Sequence, residues 1–155
     1  MRDADRDPAM TCPDGSSGTD AVPRGDAVVA ETLRARSGRI AHRWAETALF
    51  QAAYRDRREA AVEAAHRLVD ALAEVAETGR CTDPRAAGFT RARPYLAEIA
   101  AARAMVGATA SQVGLEVAEL CEPLAALVRD HADARAAVAE LMGTLRLVAM
   151  EAGAC

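Results

Sequence analysis

Hydrophobic residues recur along most of the chain at intervals of three and four, the spacing that places side chains on one face of an α-helix. Residues 1–25 lack this pattern and hold mainly Asp, Pro, Gly, Ser and Arg. Ordering such a segment costs chain entropy that no burial offsets, so a disordered tail is predicted there. The pattern begins at Asp26, a predicted helix cap. Ser37-Gly38 is expected to break or bend this first helix, whose apolar face holds Val29, Leu33, Ile40 and Trp44.

A second apolar stripe follows a charged connector at residues 54–58. Its members are Val62, Ala65, Val69, Leu72 and Ala76. Thr78-Gly79 then supplies a left-handed helix stop. Residues 80–93 are predicted to form a loop, with room for one helical turn around Ala86-Ala87. Pro94 is predicted to open the third helix from its first position, where the missing N–H costs little.

The third helix is predicted to end at Gly107 and to direct three large side chains inward: Leu96, Ile99 and Met105. Thr109 and Gln112 follow with the spacing of a capping box, in which two side chains satisfy free amides at a helix start. The segment between the third and fourth helices is therefore predicted to be a structural corner. Arg103, just before it, is expected to pair with Glu98 or Glu116, or to lie in a dimer contact.

Two further helices complete the pattern. The fourth carries Val113, Val117, Leu120, Leu124 and Leu127 on one seam, and the last carries Val138, Leu141, Leu145 and Val148. Pro123 removes one backbone hydrogen bond and is expected to kink the fourth helix near Glu119. No strand pattern occurs. The sequence therefore predicts one all-α domain at residues 26–153, a bundle of five to six helices without a β-sheet.

Composition narrows the functional classes. Much of the 51% hydrophobic content is alanine, which forms helices well but buries little surface, so we expect a thin core and a homodimer. All 19 basic residues are arginines, interleaved with 23 acidic residues, and no basic face indicates nucleic-acid binding. No apolar run suits a membrane span or a signal peptide, so a cytoplasmic protein is expected.

The residues of the corner resemble the signature of the RsbR/RsbRD N-terminal domain family. The matching positions are Arg103, Ala104, Gly107, Thr109, Gln112, Leu120, Pro123 and Leu124. Weaker similarity to the same family occurs at residues 39–46, which include Trp44, and at residues 68–79. Together these segments extend the resemblance over most of residues 27–152.

This resemblance implies a globin-like helical domain without haem that dimerises and serves as the sensory input of stressosome proteins. Such relatives, RsbT co-antagonists, usually continue into a STAS domain, and no strand-rich STAS segment is found in these 155 residues. The expectation is a free-standing input domain that binds a small signal or pairs with STAS-domain proteins or longer paralogues.

Several side chains suggest other chemistry. His66 lies in an Ala-His-x-Leu context typical of histidine phosphotransfer bundles, but the Lys-Gly that usually follows is replaced by Val69-Asp70. His42, His66 and His131 are candidate axial ligands if the domain is a haem-binding or ligand-binding globin-like sensor.

The four cysteines, Cys12, Cys81, Cys121 and Cys155, lack the paired spacing of a zinc site or a disulfide frame. Cys81 is a redox candidate because neighbouring arginines would favour its thiolate, whereas Cys121 is expected to be inert in an apolar setting. No nucleophile–base pair, carboxylate pair or metal cluster emerges, so neither an enzyme nor a bound cofactor is expected.

Overall fold

The computed structural model describes residues 24–154, and their fold confirms the all-α class, since no strand occurs among them. The tail predicted at residues 1–25 lies almost wholly outside the described residues, and Gly25 already begins the first helix. The helices are α1 Gly25–Ala35, α2 Ser37–Ala45, α3 Ala48–Ala53, α4 Arg58–Thr78, α5 Ala87–Met105, α6 Ala110–Ala118, α7 Cys121–Leu127 and α8 Ala132–Ala154.

Two long helices organise the bundle. Helix α4 packs against α1, α2 and α5, and helix α8 packs against α1, α5 and α6. Most of the predicted apolar stripes face the resulting core, while Val62 and Leu127 are only half-buried. Alanines on α4 are buried beside the large side chains, which lets neighbouring helices approach closely. The largest fully buried side chains include Trp44, Phe50, Phe89, Leu33, Ile40 and Leu68.

The predicted first helix is divided into three pieces. The break expected at Ser37-Gly38 is confirmed, because α1 ends at Ala35 and α2 begins at Ser37. A second break before α3 was not predicted, and there the Thr47 hydroxyl accepts the backbone N–H of Phe50 at 3.5 Å. Asp26 is not the cap, since it lies inside the first turn of α1 and its carboxylate accepts the N–H of Ala27.

Helix α5 corrects the role predicted for Pro94. The helix begins at Ala87, so residues 87–93 are helical and Pro94 lies inside α5 rather than at its start. The helix continues through Pro94 because its first segment packs closely on α4. Gly88 lies so close to α4 that an added Cβ would be 2.3 Å from the Ala71 carbonyl oxygen. Phe89 is fully buried beside it. Packing of this first segment outweighs the one hydrogen bond that Pro94 removes.

The stop predicted at Gly79 is confirmed. Gly79 has a φ of 73°, in the left-handed region, and its N–H bonds back to the carbonyl of Ala76. The loop that follows is fixed to α8, because the buried Thr144 hydroxyl donates to the Cys81 carbonyl at 2.7 Å. This contact holds the loop between α4 and α5 against the middle of α8.

The close crossing at Gly88 predicts that Gly88→Ala destabilises the protein by about 1–3 kcal/mol, because the added methyl group meets backbone of α4 that cannot move aside. Gly38→Ala is the matched control, since no atom lies within 4 Å of a Cβ added there. That control should be neutral or stabilise by up to about 1 kcal/mol. Urea denaturation measures both, and equal effects of the two substitutions would contradict the crossing described here.

Candidate functional site

The corner between α5 and α6 is built by backbone capping, as the sequence predicts. Gly107 has a φ of 89°, which an L side chain rarely adopts, and it turns the chain at the end of α5. Thr109 accepts the N–H of Gln112 at 3.2 Å, and the Gln112 side chain accepts the N–H of Thr109 at 2.7 Å. The predicted capping box is therefore confirmed, and the start of α6 is fixed.

An ion pair joins the two helices across this corner. The Arg103 guanidinium donates to both carboxylate oxygens of Glu116, at 2.9 and 2.7 Å, with about a quarter of each side chain exposed. Such two-bond pairing fixes relative orientation as well as distance. Of the two partners expected for Arg103, Glu116 is confirmed. Glu98 instead accepts the hydroxyl of the buried Tyr54 at 2.5 Å.

Large apolar side chains stand exposed at this corner. Met105 is 88% exposed, Val106 61% and Leu115 58%, and we call these three residues the corner patch. The prediction that Met105 points inward is wrong, because α5 ends at Met105 and the chain turns away from the core there. Leu115 lies between the buried seam positions Val113 and Val117, so the seam itself indicates its outward direction.

The other residues of the family signature meet at the junction of α6 and α7. The indole N–H of Trp44 donates to the carbonyl of Leu120 at 3.0 Å, and both side chains are essentially inaccessible to solvent. Pro123 has no N–H to offer the Glu119 carbonyl, which accepts the N–H of Glu122 at 3.3 Å instead. The predicted kink is thus a full interruption between two helices, and the buried Leu124 secures α7 beyond it.

The histidines are not gathered around an enclosed apolar cavity. His42 and His66 line an open groove of about 760 Å³ along α4, together with three carboxylates, Glu59, Glu63 and Asp70, and two arginines, Arg58 and Arg67. His66 is half-buried there. Each arginine pairs with a glutamate, so the groove offers no excess of positive charge to a phosphorylated imidazole. An open charged groove is also a poor haem pocket.

His131 has a structural role that the sequence analysis missed. Its Nδ1 atom accepts the backbone N–H of Ala134 at 3.1 Å, in the first turn of α8. The sequence signal is the position of His131 directly before Ala132, where α8 begins, because that N-terminal turn has free amides to satisfy. The imidazole is thereby engaged as a helix cap.

The prediction that neighbouring arginines favour the thiolate of Cys81 is wrong. The residue is 5% exposed, and burial, followed by the charges of Asp26 and Glu140, raises the pKa of its thiol to about 11. Carboxylates rather than arginines dominate its surroundings, so the thiolate is disfavoured. Burial also raises the pKa of the half-buried Cys121, as expected from its apolar setting.

The described residues also lack the side-chain group of a metal site and a helix that could span a membrane. Between residues 24 and 154, no group of three or more His, Cys, Asp or Glu side chains is arranged to hold a metal ion. No helix in that part of the chain is long and apolar enough to cross a membrane.

Neither a family model, nor a curated protein, nor a solved structure matches the chain. The functional assignment therefore rests on the arrangement of the side chains, among which the corner patch is the most exposed apolar feature.

The raised pKa of Cys81 predicts slow alkylation. At pH 8 the thiol of the folded protein is protonated, because the pH lies well below its pKa of about 11. In the unfolded chain the pKa returns towards its ordinary value of 9.0, so a larger fraction of the thiol is ionised. Iodoacetamide should label Cys81 at least about tenfold more slowly in the folded protein than in the urea-unfolded chain, as followed by mass spectrometry of the peptides. Equal labelling rates in the two states would restore Cys81 as a redox candidate.

Proposed function

We propose that this protein is a non-catalytic regulatory domain that acts through dimerisation and protein–protein interaction. In this proposal it is a globin-like sensory module similar to the N-terminal input domain of RsbR-type stressosome proteins. Its partners are STAS-domain stressosome proteins or paralogues, and its compartment is the cytoplasm. Neither a cofactor nor a catalytic residue is part of the proposal.

The main support for the proposal is the corner patch, which stands where capping and an ion pair hold the backbone in place. Met105, Val106 and Leu115 expose apolar surface where Gly107 and the capping box hold the turn, and where an ion pair holds the two helices together. Exposed apolar clusters on soluble domains mark interaction sites, and a rigid scaffold lowers the entropy lost on binding. A protein partner is therefore the expected occupant of this surface.

The contacts among the residues that resemble the RsbR family also support the proposal. Arg103 pairs with Glu116, Thr109 and Gln112 form the capping box, and Trp44 binds the carbonyl of Leu120. Residues that resemble those of a known family thus form specific contacts at the two ends of α6, although Trp44 is 76 residues from Leu120 in the chain. Such cooperation is what a shared helical architecture would require.

Histidine phosphotransfer is the second candidate, and one observation favours it. His66 lies in an open groove that a protein partner could enter, as phosphotransfer requires. The nearby Arg67 is 3.4 Å from Glu63, so its charge is partly engaged. The carboxylates along the groove make this candidate the weaker of the two.

The proposal predicts that the corner patch binds a STAS-domain protein. The wild-type protein serves as bait in the native cell extract, in parallel with a Met105→Ser/Val106→Ser variant, and STAS-domain proteins are quantified by mass spectrometry. Loss of two apolar contacts at an interface centre should lower their recovery by about tenfold or more. Both replaced side chains are mostly exposed, so the fold should be retained.

His66→Gln is the matched control for this experiment, because His66 lies on the groove rather than at the corner. Its recovery of STAS-domain proteins should equal that of the wild type. Absence of STAS-domain proteins from the wild-type sample, or their equal recovery by the corner variant, would contradict the proposed function. A loss seen only with His66→Gln would favour the phosphotransfer candidate.

A further inference from the structure

A groove lies where α7 meets the end of α1 and the outer face of α2. It consists of two adjoining hollows of about 220 and 280 Å³, and Leu127 lines both. Arg36 borders the first hollow, and Arg39 and Arg43 border the second. We call the two hollows together the α2–α7 groove. Leu127 belongs to the apolar seam predicted for the fourth helix, and it is only half-buried because part of it faces this groove.

The arginines of the groove have no carboxylate partner among the described residues. Arg36, Arg39 and Arg43 are all exposed, and none of them forms an ion pair within residues 24–154. Arg39 and Arg43 are four residues apart in α2, so their side chains lie one turn apart on the same face. Two guanidinium groups are therefore available together for an anion from outside the chain.

The second hollow has an apolar lining beside these charges. Ile40, which is 1% exposed, contributes from α2, and Pro123, Ala126 and Leu127 contribute from α7. The three α7 residues have the spacing that places them on one face of a helix. Apolar walls with a few polar groups at the edge are typical of small-molecule sites, in which the polar groups orient the ligand.

The acidic residues of the groove limit the charge of such a ligand. Glu31 lines the first hollow and Glu122 lines the second, and neither forms an ion pair with the three arginines. Three arginines and two glutamates leave an excess of one positive charge. A monoanion balances this excess, whereas the glutamates would repel a phosphate group, which carries closer to two negative charges.

The size and shape of the groove select a small, flat molecule. Each hollow lies just below the range of about 300–1,000 Å³ that is typical of ligand pockets, so the ligand is smaller than a drug. A partner's helix, about 10–12 Å in diameter with its side chains, is too wide for either hollow. Guanidinium groups bind carboxylates through paired hydrogen bonds and also stack on aromatic rings. A ring with one carboxylate satisfies the size, the charge and the apolar lining.

We propose that the α2–α7 groove binds a small aromatic monocarboxylate. Arg39 and Arg43 hold its carboxylate, and its ring lies against Ile40, Pro123 and Leu127. This inference rests on the sensory role in the proposed function, for which it names the site and the class of ligand. Binding is expected to be weak, with a dissociation constant on the order of 0.1–1 mM, because the ligand has few atoms.

The test is a titration of the ¹⁵N-labelled full chain with phenylacetate up to about 10 mM, followed by amide correlation spectra. The amide signals that shift should belong to α2 and α7. Acetate carries the same charge without a ring, and 2-phenylethanol carries the ring without a charge. Each should bind at least about tenfold more weakly than phenylacetate, because each lacks one half of the proposed contact.

Removal of the two guanidinium groups tests which residues hold the carboxylate. Arg39→Gln/Arg43→Gln should weaken phenylacetate binding by at least about tenfold. Arg85→Gln/Arg135→Gln is the matched control, because it removes two exposed arginines outside the groove and changes the net charge equally. This control should leave the dissociation constant unchanged.

Two further variants separate binding effects from folding effects. Glu122→Gln removes a repelling carboxylate from the second hollow and should tighten binding by about threefold, which damage to the fold would not do. Ala126→Leu fills the same hollow from an exposed position on α7. It should weaken binding by about tenfold while the free energy of unfolding stays close to that of the wild type.

Four outcomes would overturn the inference: no shift with phenylacetate throughout the range, shifts confined to other helices, equal binding of acetate, or wild-type binding by Arg39→Gln/Arg43→Gln. The proposed function fails separately, by loss of STAS-domain capture at the corner patch, which is measured without phenylacetate. Phenylacetate binding in the groove without such capture would support the ligand site alone.

Discussion

The hydrogen bond between the indole of Trp44 and the carbonyl of Leu120 is the constraint that ties the junction of α6 and α7 to the first half of the bundle. Pro123 interrupts the helix here, so the chain needs a contact from outside the segment to fix where α7 leaves α6. The only tryptophan in the sequence supplies that contact from α2 while it fills the core. Helix α6 is held between this anchor, its packing on α8 and the Arg103–Glu116 ion pair, and these contacts together orient the corner patch.

The functional proposals concern surfaces rather than reactive groups. The thiol of Cys81 is buried with a raised pKa, and His131 is engaged as a helix cap. Large apolar side chains are instead exposed at the corner patch and at Leu147 on α8. Exposed apolar side chains of this kind are typical of surfaces that bind other proteins.

Local chemistry made much of this fold predictable from sequence. Gly79 ends α4 and the Thr109 capping box begins α6 through contacts among a few neighbouring residues, so both helix ends can be predicted from local sequence. The buried faces of the helices follow from the spacing of their apolar residues. Pro94 could not be placed correctly, because α5 continues through it only where Gly88 lets α5 touch α4, a contact between distant segments. The outward direction of Met105 likewise depends on where α5 ends relative to the core.

The most direct test of the Trp44 anchor is amide hydrogen exchange of Trp44→Phe compared with the wild type. The substitution keeps an aromatic ring in the core and removes the N–H that binds Leu120. Exchange should accelerate in α6 and α7, while α4, which is held by α1 and α5 as well as by α2, keeps its protection. Unchanged protection in α6 and α7, or an equal loss in every helix, would contradict the account.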